Sequence, residues 1–299
     1  MNAFYSDLFD FPLPDGHRFP KQKYSLIRSR VIEEGLISPQ DLHIPNPATD
    51  EEILLVHTPE YLEKVKTGEM TDKEIRRLGL PWSPQLVQRA LRTTGGTIEA
   101  CRAALNDGIA INLSGGTHHA FADHAEGFCL LNDIAVSARV LQFEKLVQRI
   151  VIIDCDVHQG NGTASIFSRD PNVFTFSIHG EYNFPLRKEK SDLDIELKDN
   201  TKDDTYLDAL RLGVQDALEY SQAEMAIYVS GADAFFDDQL GRLSLSKSGL
   251  AQRDHIIYNQ CRKAGLPIAV VMAGGYARNV DDTVDIHIQT ISSAIHIYQ

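Results

Sequence analysis

Residues 151–163, VIIDCDVHQGNGT, run from apolar side chains into Asp154-Cys155-Asp156-Val157-His158 and then a glycine turn. If the run is a strand, alternate side chains share a face. Asp154, Asp156 and His158 then point one way, and Cys155 and Val157 the other. Two carboxylates and an imidazole on one face form a hard-to-borderline ligand set for a divalent cation.

Working outward, similar short apolar runs recur at 109–113 (IAINL), 149–154 (RIVIID), 173–178 (VFTFSI), 225–230 (MAIYVS) and 268–273 (IAVVMA). Helix-spaced segments lie between them at 131–144, 205–220 and 247–264. Leu207, Leu210, Val214 and Leu218 form one stripe of the second. Gly265 is placed as the C-cap of the third, and Pro267 blocks its continuation. The N-terminal third carries helical spacing over 22–35, 58–67 and 84–106. Strand and helix in alternation imply an α/β fold: one domain over residues 1–299, with a mostly parallel central sheet and helices on both faces.

The chemically loaded segments follow strands. SGGTHHA follows 109–113, DCDVHQGNG ends 149–154, SIHG ends 173–178, SGAD ends 225–230 and GGY follows 268–273. Open parallel sheets gather ligands at the carboxyl ends of their strands, so all five segments converge. A lone Asp or His at a strand end usually caps or turns the chain. Shared placement turns Asp156, His158 and Asp233 into candidate metal ligands. With no fourth protein ligand, such a site keeps room for water.

Asp154, on the same face, is either a structural cap or a carboxylate holding a histidine. The adjacent His118 and His119 on a glycine turn are either an exposed loop pair or a general base with an electrostatic partner. His124 has no such argument and reads as surface. Asn161 is ordinary turn chemistry unless it orients a histidine; in that case it does so without charge. One histidine backed by Asp154 and one by Asn161 would differ in basicity, hence in role. Tyr276, after Gly274 and Gly275, is either packing or an oxyanion donor, with the glycines allowing close approach to a ligand. Phe128, beside Gly127, is either core or an aromatic wall for an aliphatic chain.

Phosphate-loop, dinucleotide and serine-elbow motifs are absent from the sequence. The apolar fraction is 43% and net charge −13, with no basic run, which argues against direct nucleic-acid binding and is compatible with a cationic substrate. No stretch is long and apolar enough for a transmembrane helix. The opening MNAFYSDLFDFPLPDG lacks basic and apolar leader regions, and none of the four cysteines forms a CxxC pair; cytoplasmic residence is expected.

GGTHHAFADHAEGFCLLND, VIIDCDVHQGNGT, VSGADAFFDDQLGRLSLS and MAGGYAR, in this order, resemble the histone deacetylase family, with its bacterial, acetoin-utilisation and acetylpolyamine members. The resemblance covers roughly residues 17–298. NFPLRKEKSDLDIEL (183–197) is similar to the bacterial branch nearest the small class IV-like enzymes. The resemblance implies an arginase–deacetylase fold and Zn²⁺ on Asp156, His158 and Asp233, with Fe²⁺ also allowed by ligand type. It pairs His118 with Asp154 and His119 with Asn161, and sets Tyr276 opposite the metal. It further implies a structural K⁺ near Asp154, Asp156 and His158, with Ser177 and Ile178 contributing.

The implied substrate is an acylated lysine or other acylated amine, and the implied reaction is metal-dependent removal of the acyl group. A silent acetyl-amine binding protein is the alternative. Asn161 stands where some members have Asp, Ala273 replaces a glycine, and LGLPWSPQ (78–85) lacks the acidic residue that clamps peptide in some relatives. A two-metal amidinohydrolase would need a carboxylate where Gly160 stands.

Overall fold

The structure, a computed structural model, describes residues 1–298. In chain order the elements are β1 (Ala3–Phe4), α1 (Gln22–Glu33), β2 (Leu42–His43), α2 (Asp50–Ile53), α3 (Pro59–Thr67), α4 (Asp72–Leu78), α5 (Pro84–Asp107) and β3 (Ile109–Asn112). There follow α6 (Asp133–Phe143), β4 (Ile150–Asp154), α7 (Asn161–Phe167), β5 (Val173–Gly180), β6 (Leu193–Leu197) and α8 (Asp203–Ser221). The chain then forms β7 (Met225–Ser230), α9 (Lys247–Lys263), β8 (Ile268–Met272) and α10 (Val280–Tyr298).

The eight strands make one sheet in the order β2-β1-β3-β8-β7-β4-β5-β6, and every pairing is parallel. The central strands β4, β7 and β8 are buried on both faces, which is why they are apolar without alternation. Val151, Ile153, Tyr228, Val270 and Met272 pack on α8, α9 and α10. Ile150, Ile152, Ile227, Val229 and Val271 pack on α5 and α6.

After β4 the chain moves outward to β5 and β6, then returns to lay β7 on the other side of β4. Connections therefore diverge between β4 and β7, and a crevice opens at their carboxyl ends.

β4 ends at Asp154, so Asp156 and His158 lie in the bend beyond it rather than in the strand. The alternation nevertheless continues, because Cys155 and Val157 are buried in the same cluster as Val151 and Ile153. Gly265 falls one residue past the C-cap Ala264, with φ +70°, and Leu266 N closes the helix end on Cys261 O at 2.9 Å.

Elements without a sequence expectation are β1, β2 and β6, the short helices α2, α4 and α7, and α10. α10 is rich in β-branched Val, Ile and Thr, which weakens helix propensity. Burial of Val284, Ile288, Ile291 and Ala294 against the sheet overrides that tendency. Among the described residues no helix is long and apolar enough to cross a membrane.

Candidate metal centre and active site

Asp156 and His158 come from the loop after β4, and Asp233 from the loop after β7. Their ligand atoms all lie within 4.8 Å of one another, and all three residues are buried. His158 Nδ1 is 3.0 Å from Asp156 Oδ1 and 3.2 Å from Asp233 Oδ2.

Backbone groups hold the carboxylates in place. Val157 N–H donates to Asp233 Oδ1 (3.0 Å), Gly274 N–H to Asp156 Oδ2 (2.8 Å) and His158 N–H to Asp156 Oδ1 (3.0 Å). Asp233 Oδ2 is buried with no hydrogen-bond donor. Burial and the neighbouring Asp156 carboxylate push Asp233 up to about 7, while the His118 and His158 rings hold Asp156 well below the usual range despite its own burial. Two anions this close call for a positive charge between them. The donor set and the orphaned oxygen fit a divalent cation on Asp156, His158 and Asp233.

The two adjacent histidines have unlike partners. His118 Nδ1 lies 2.7 Å from Asp154 Oδ2, and His119 Nδ1 lies 2.7 Å from Asn161 Oδ1. Burial would depress the His118 ring, but the Asp154 and Asp156 carboxylates override it and lift its pKa to about 9. Burial, with His118 and His158 nearby, leaves His119 well below the ordinary histidine value. An amide oxygen can only accept, so His119 carries its proton on Nδ1 and keeps a lone pair on Nε2. Asn161 is the first residue of α7 rather than part of a loop, and sits behind His119.

Both histidines, the triad and Tyr276 line one pocket of about 370 Å³, the size of a small-molecule site. Phe128 and Phe184 form its apolar sides; the Phe184 ring meets the His119 ring edge-on at 4.9 Å. Gly127 and Gly274 line it too. A Cβ on Gly127 would lie 2.6 Å from His119 Cδ2, and one on Gly274 would lie 1.9 Å from Asp233 Oδ2. Gly275 does not line the pocket. It is buried behind the loop, where a Cβ would strike Thr283 at 2.6 Å, so its smallness serves packing.

At Gly160 a Cβ would lie 2.4 Å from Asp154 Oδ2, so the position has no room for a carboxylate of a second metal. Asp154 and Ser177, expected near a second cation, are register partners in β4 and β5. Ser177 Oγ is within 2.9 Å of His179 Nδ1, and Ile178 turns its side chain into the core. His124 stacks on Phe121, partly exposed.

Several site residues carried no sequence expectation. Asp238 accepts from Tyr276 N (2.6 Å), Leu240 N (2.8 Å) and Gly241 N (2.9 Å), pinning the tyrosine loop. Asp133, at the start of α6, accepts from Gly116 N and Thr117 N and fixes the turn before His118. Arg253 on α9 is fully buried and donates to Gly231 O (2.5 Å) and Ser230 Oγ (3.0 Å) in the Asp233 loop. Buried Lys23 donates to Ala273 O (2.7 Å). Phe184 lies within NFPLRKEKSDLDIEL (183–197) but carried no expected role. The signal available for Lys23, Asp133 and Arg253 was a charged side chain within an otherwise apolar helical stripe; Asp238, in the loop after β7, and Phe184 left none.

The residues that converge here belong to a known family. A profile described as "Histone deacetylase domain" matches residues 17–291, and the chain belongs to the histone deacetylase family. It is 43% identical to an uncharacterised protein of Picosynechococcus over 96% of both chains. It is 30% identical to the acetoin utilization protein AcuC of Staphylococcus aureus, covering 85% of this chain and 71% of that one. It is 28% identical to histone deacetylase 2 of Arabidopsis thaliana, covering 95% and 78%. Among solved structures, a histone deacetylase homologue complexed with SAHA superposes with a TM-score of 0.82 at 25% identity, over 99% of this chain and 83% of the other.

Proposed function

We propose that the protein hydrolyses the acyl amide of an N-acylated amine, most directly the N6-acetyl side chain of lysine. The observation that carries this reading is the pairing of one carboxylate-backed and one amide-backed histidine beside the Asp156–His158–Asp233 cluster, in a pocket that also holds Tyr276. A divalent cation held by Asp156, His158 and Asp233, with zinc the first expectation and ferrous iron also suited to the donors, would supply Lewis-acid polarisation of the amide carbonyl.

The chain's own groups divide the remaining work. His119 Nε2 takes a proton from the attacking water and returns it to the leaving nitrogen. His118, held cationic by Asp154, supplies positive charge as the oxyanion develops, and the Tyr276 hydroxyl donates a hydrogen bond to that oxygen. Phe128 and Phe184 bind the aliphatic chain and exclude water from it. On this reading residues 1–299 form one catalytic domain. The Asp154–His158 backbone, including Asp156, with Ser177 and Ile178, would serve a structural K⁺.

The test is turnover of an acetyl-lysine peptide by the zinc-loaded protein and its variants. Tyr276→Phe is expected to lose about 10²–10³ in kcat, the usual cost of one oxyanion donor, and His119→Ala at least as much. Full turnover by both variants overturns the mechanism. Tight peptide binding without hydrolysis by the unaltered protein would favour a silent binding role.

A further inference from the structure

The overall charge of −13 is compatible with a cationic substrate, yet the mouth of the pocket carries the opposite sign. Arg76 and Arg77, in the last turn of α4, line the pocket and are exposed. The backbone docks them there, since Gly127 N donates to Arg77 O at 3.2 Å and Phe128 N to Leu78 O at 2.7 Å. Arginines at a helix C-terminus ordinarily serve its orphan carbonyls. Here the pocket wall itself satisfies those of Arg77 and Leu78, and Gly79 N satisfies that of Ile75 at 2.9 Å. The two carboxylates on the far side of Arg77, Glu74 and Asp123, are held by Lys64 (2.9 Å) and His124 (2.6 Å). Among the described residues neither guanidinium has a carboxylate within 4.0 Å.

A second groove opens from the same mouth, sharing Phe19, Leu240 and Tyr276 with the pocket. It brings Arg18, exposed and without an ion pair among the described residues, and Arg278, which pairs with Asp237 at 3.1 Å yet stays 71% exposed. The linings of the two cavities contain only two carboxylates, Asp156 and Asp233, and both belong to the metal centre. At physiological salt the screening length is about 8 Å, so groups entering the mouth respond mainly to the nearby charges. These are Arg18, Arg76 and Arg77, unpaired among the described residues, with Glu74, Asp123 and Asp237 already engaged by Lys64, His124 and Arg278 respectively.

We propose that the segment of substrate around the acylated lysine is anionic: a peptide with aspartate or glutamate flanking the modified residue, rather than a lysine- and arginine-rich tail or an acylated polyamine. This rests on the deacylase reading of the same pocket and adds which acyl-lysines it takes.

The experiment measures kcat/KM of the zinc-loaded protein on acetyl-lysine peptides of equal length with acidic, alanine or basic flanks, and on a monoacetylated diamine. The acidic peptide is expected to lead the basic one by roughly tenfold at about 50 mM salt, with the ratio shrinking as salt rises. In the double variant R76Q/R77Q that ratio is expected to fall at least about threefold. Damage to folding or chemistry would lower all substrates together and leave the ratio intact. Equal rates on all flanks, preference for the basic peptide or the diamine, or an unchanged ratio in the variant overturns the proposal. Turnover of none of the four overturns the deacylase reading beneath it.

Discussion

At the floor of the pocket Asp156 and Asp233 are buried, and each is tied to a backbone N–H from another loop; at the rim Arg76, Arg77 and Arg18 are exposed and ion-paired to nothing among the described residues. The floor charges lie in a medium of low dielectric, where their interactions are strong and misplacement is costly. Asp238, Asp133 and Arg253 hold three separate strand-end loops in register with the triad. The rim charges sit in water, where salt screens them and each contributes modestly. The floor therefore fixes which chemistry is possible, and the rim biases which substrate reaches it.

The largest expected effect tests the floor. Asp233→Asn keeps an oxygen that can accept Val157 N–H but removes the negative charge. Metal content measured on the purified variant is expected to drop from about one ion per chain to near zero, and activity to fall by more than the 10²–10³ of a single oxyanion donor. Stoichiometric metal in the variant would remove Asp233 from the ligand set.

A smaller effect probes the support behind the floor. His57 is buried, and its Nε2 accepts the Asn132 N–H at 3.0 Å, which keeps the ring neutral; Asn132 Nδ2 in turn donates to Ala120 O, next to His119 (2.9 Å). Burial lowers the His57 pKa to about 4. A histidine depressed in the folded state contributes stability that is fully present above its unfolded pKa of about 6.5 and is lost as pH falls toward the folded value. Denaturant unfolding of the unaltered protein should show stability falling between pH 6.5 and 4, with this residue accounting for about 3 kcal/mol. His57→Gln should flatten that part of the decline. An unchanged pH slope in the variant would mean that this ring does not stay neutral.

The same contrast governs what could be read in advance. The floor was legible because its residues obey two local rules, strand-end placement and alternation, and both leave marks in VIIDCDVHQGNGT and SGAD. The central strands were legible because burial on both faces demands continuous apolar runs. β1 and β2, two residues each, leave too short a pattern. β6 did leave one, in the alternating Leu193, Ile195 and Leu197. α10 hid behind β-branched residues whose helical state is imposed by packing. The rim was illegible for a deeper reason. Arg18, Arg76, Arg77 and Arg278 are scattered along the sequence, and a net charge of −13 points away from the local sign that folding creates.

The smallest effect lies where floor and rim meet, at Phe184. Its ring stands edge-on to His119 at 4.9 Å, yet the residue is 38% exposed, so it belongs partly to the chemistry and partly to the entrance. Phe128, on the other side, is packed against Phe19 at 5.7 Å and fills the space that keeps residue 79 a glycine, so replacing it would disturb the fold as well as the wall. Phe184 offers the cleaner test. Covering one or two methylenes of the substrate chain contributes about 0.8 kcal/mol each, or roughly four- to fifteenfold in binding. Phe184→Ala should therefore raise KM for an acetyl-lysine peptide several-fold with little change in kcat, if the ring only holds the aliphatic chain. A matching fall in kcat would show instead that the ring also orients His119, and the boundary between floor and rim would move outward to include it.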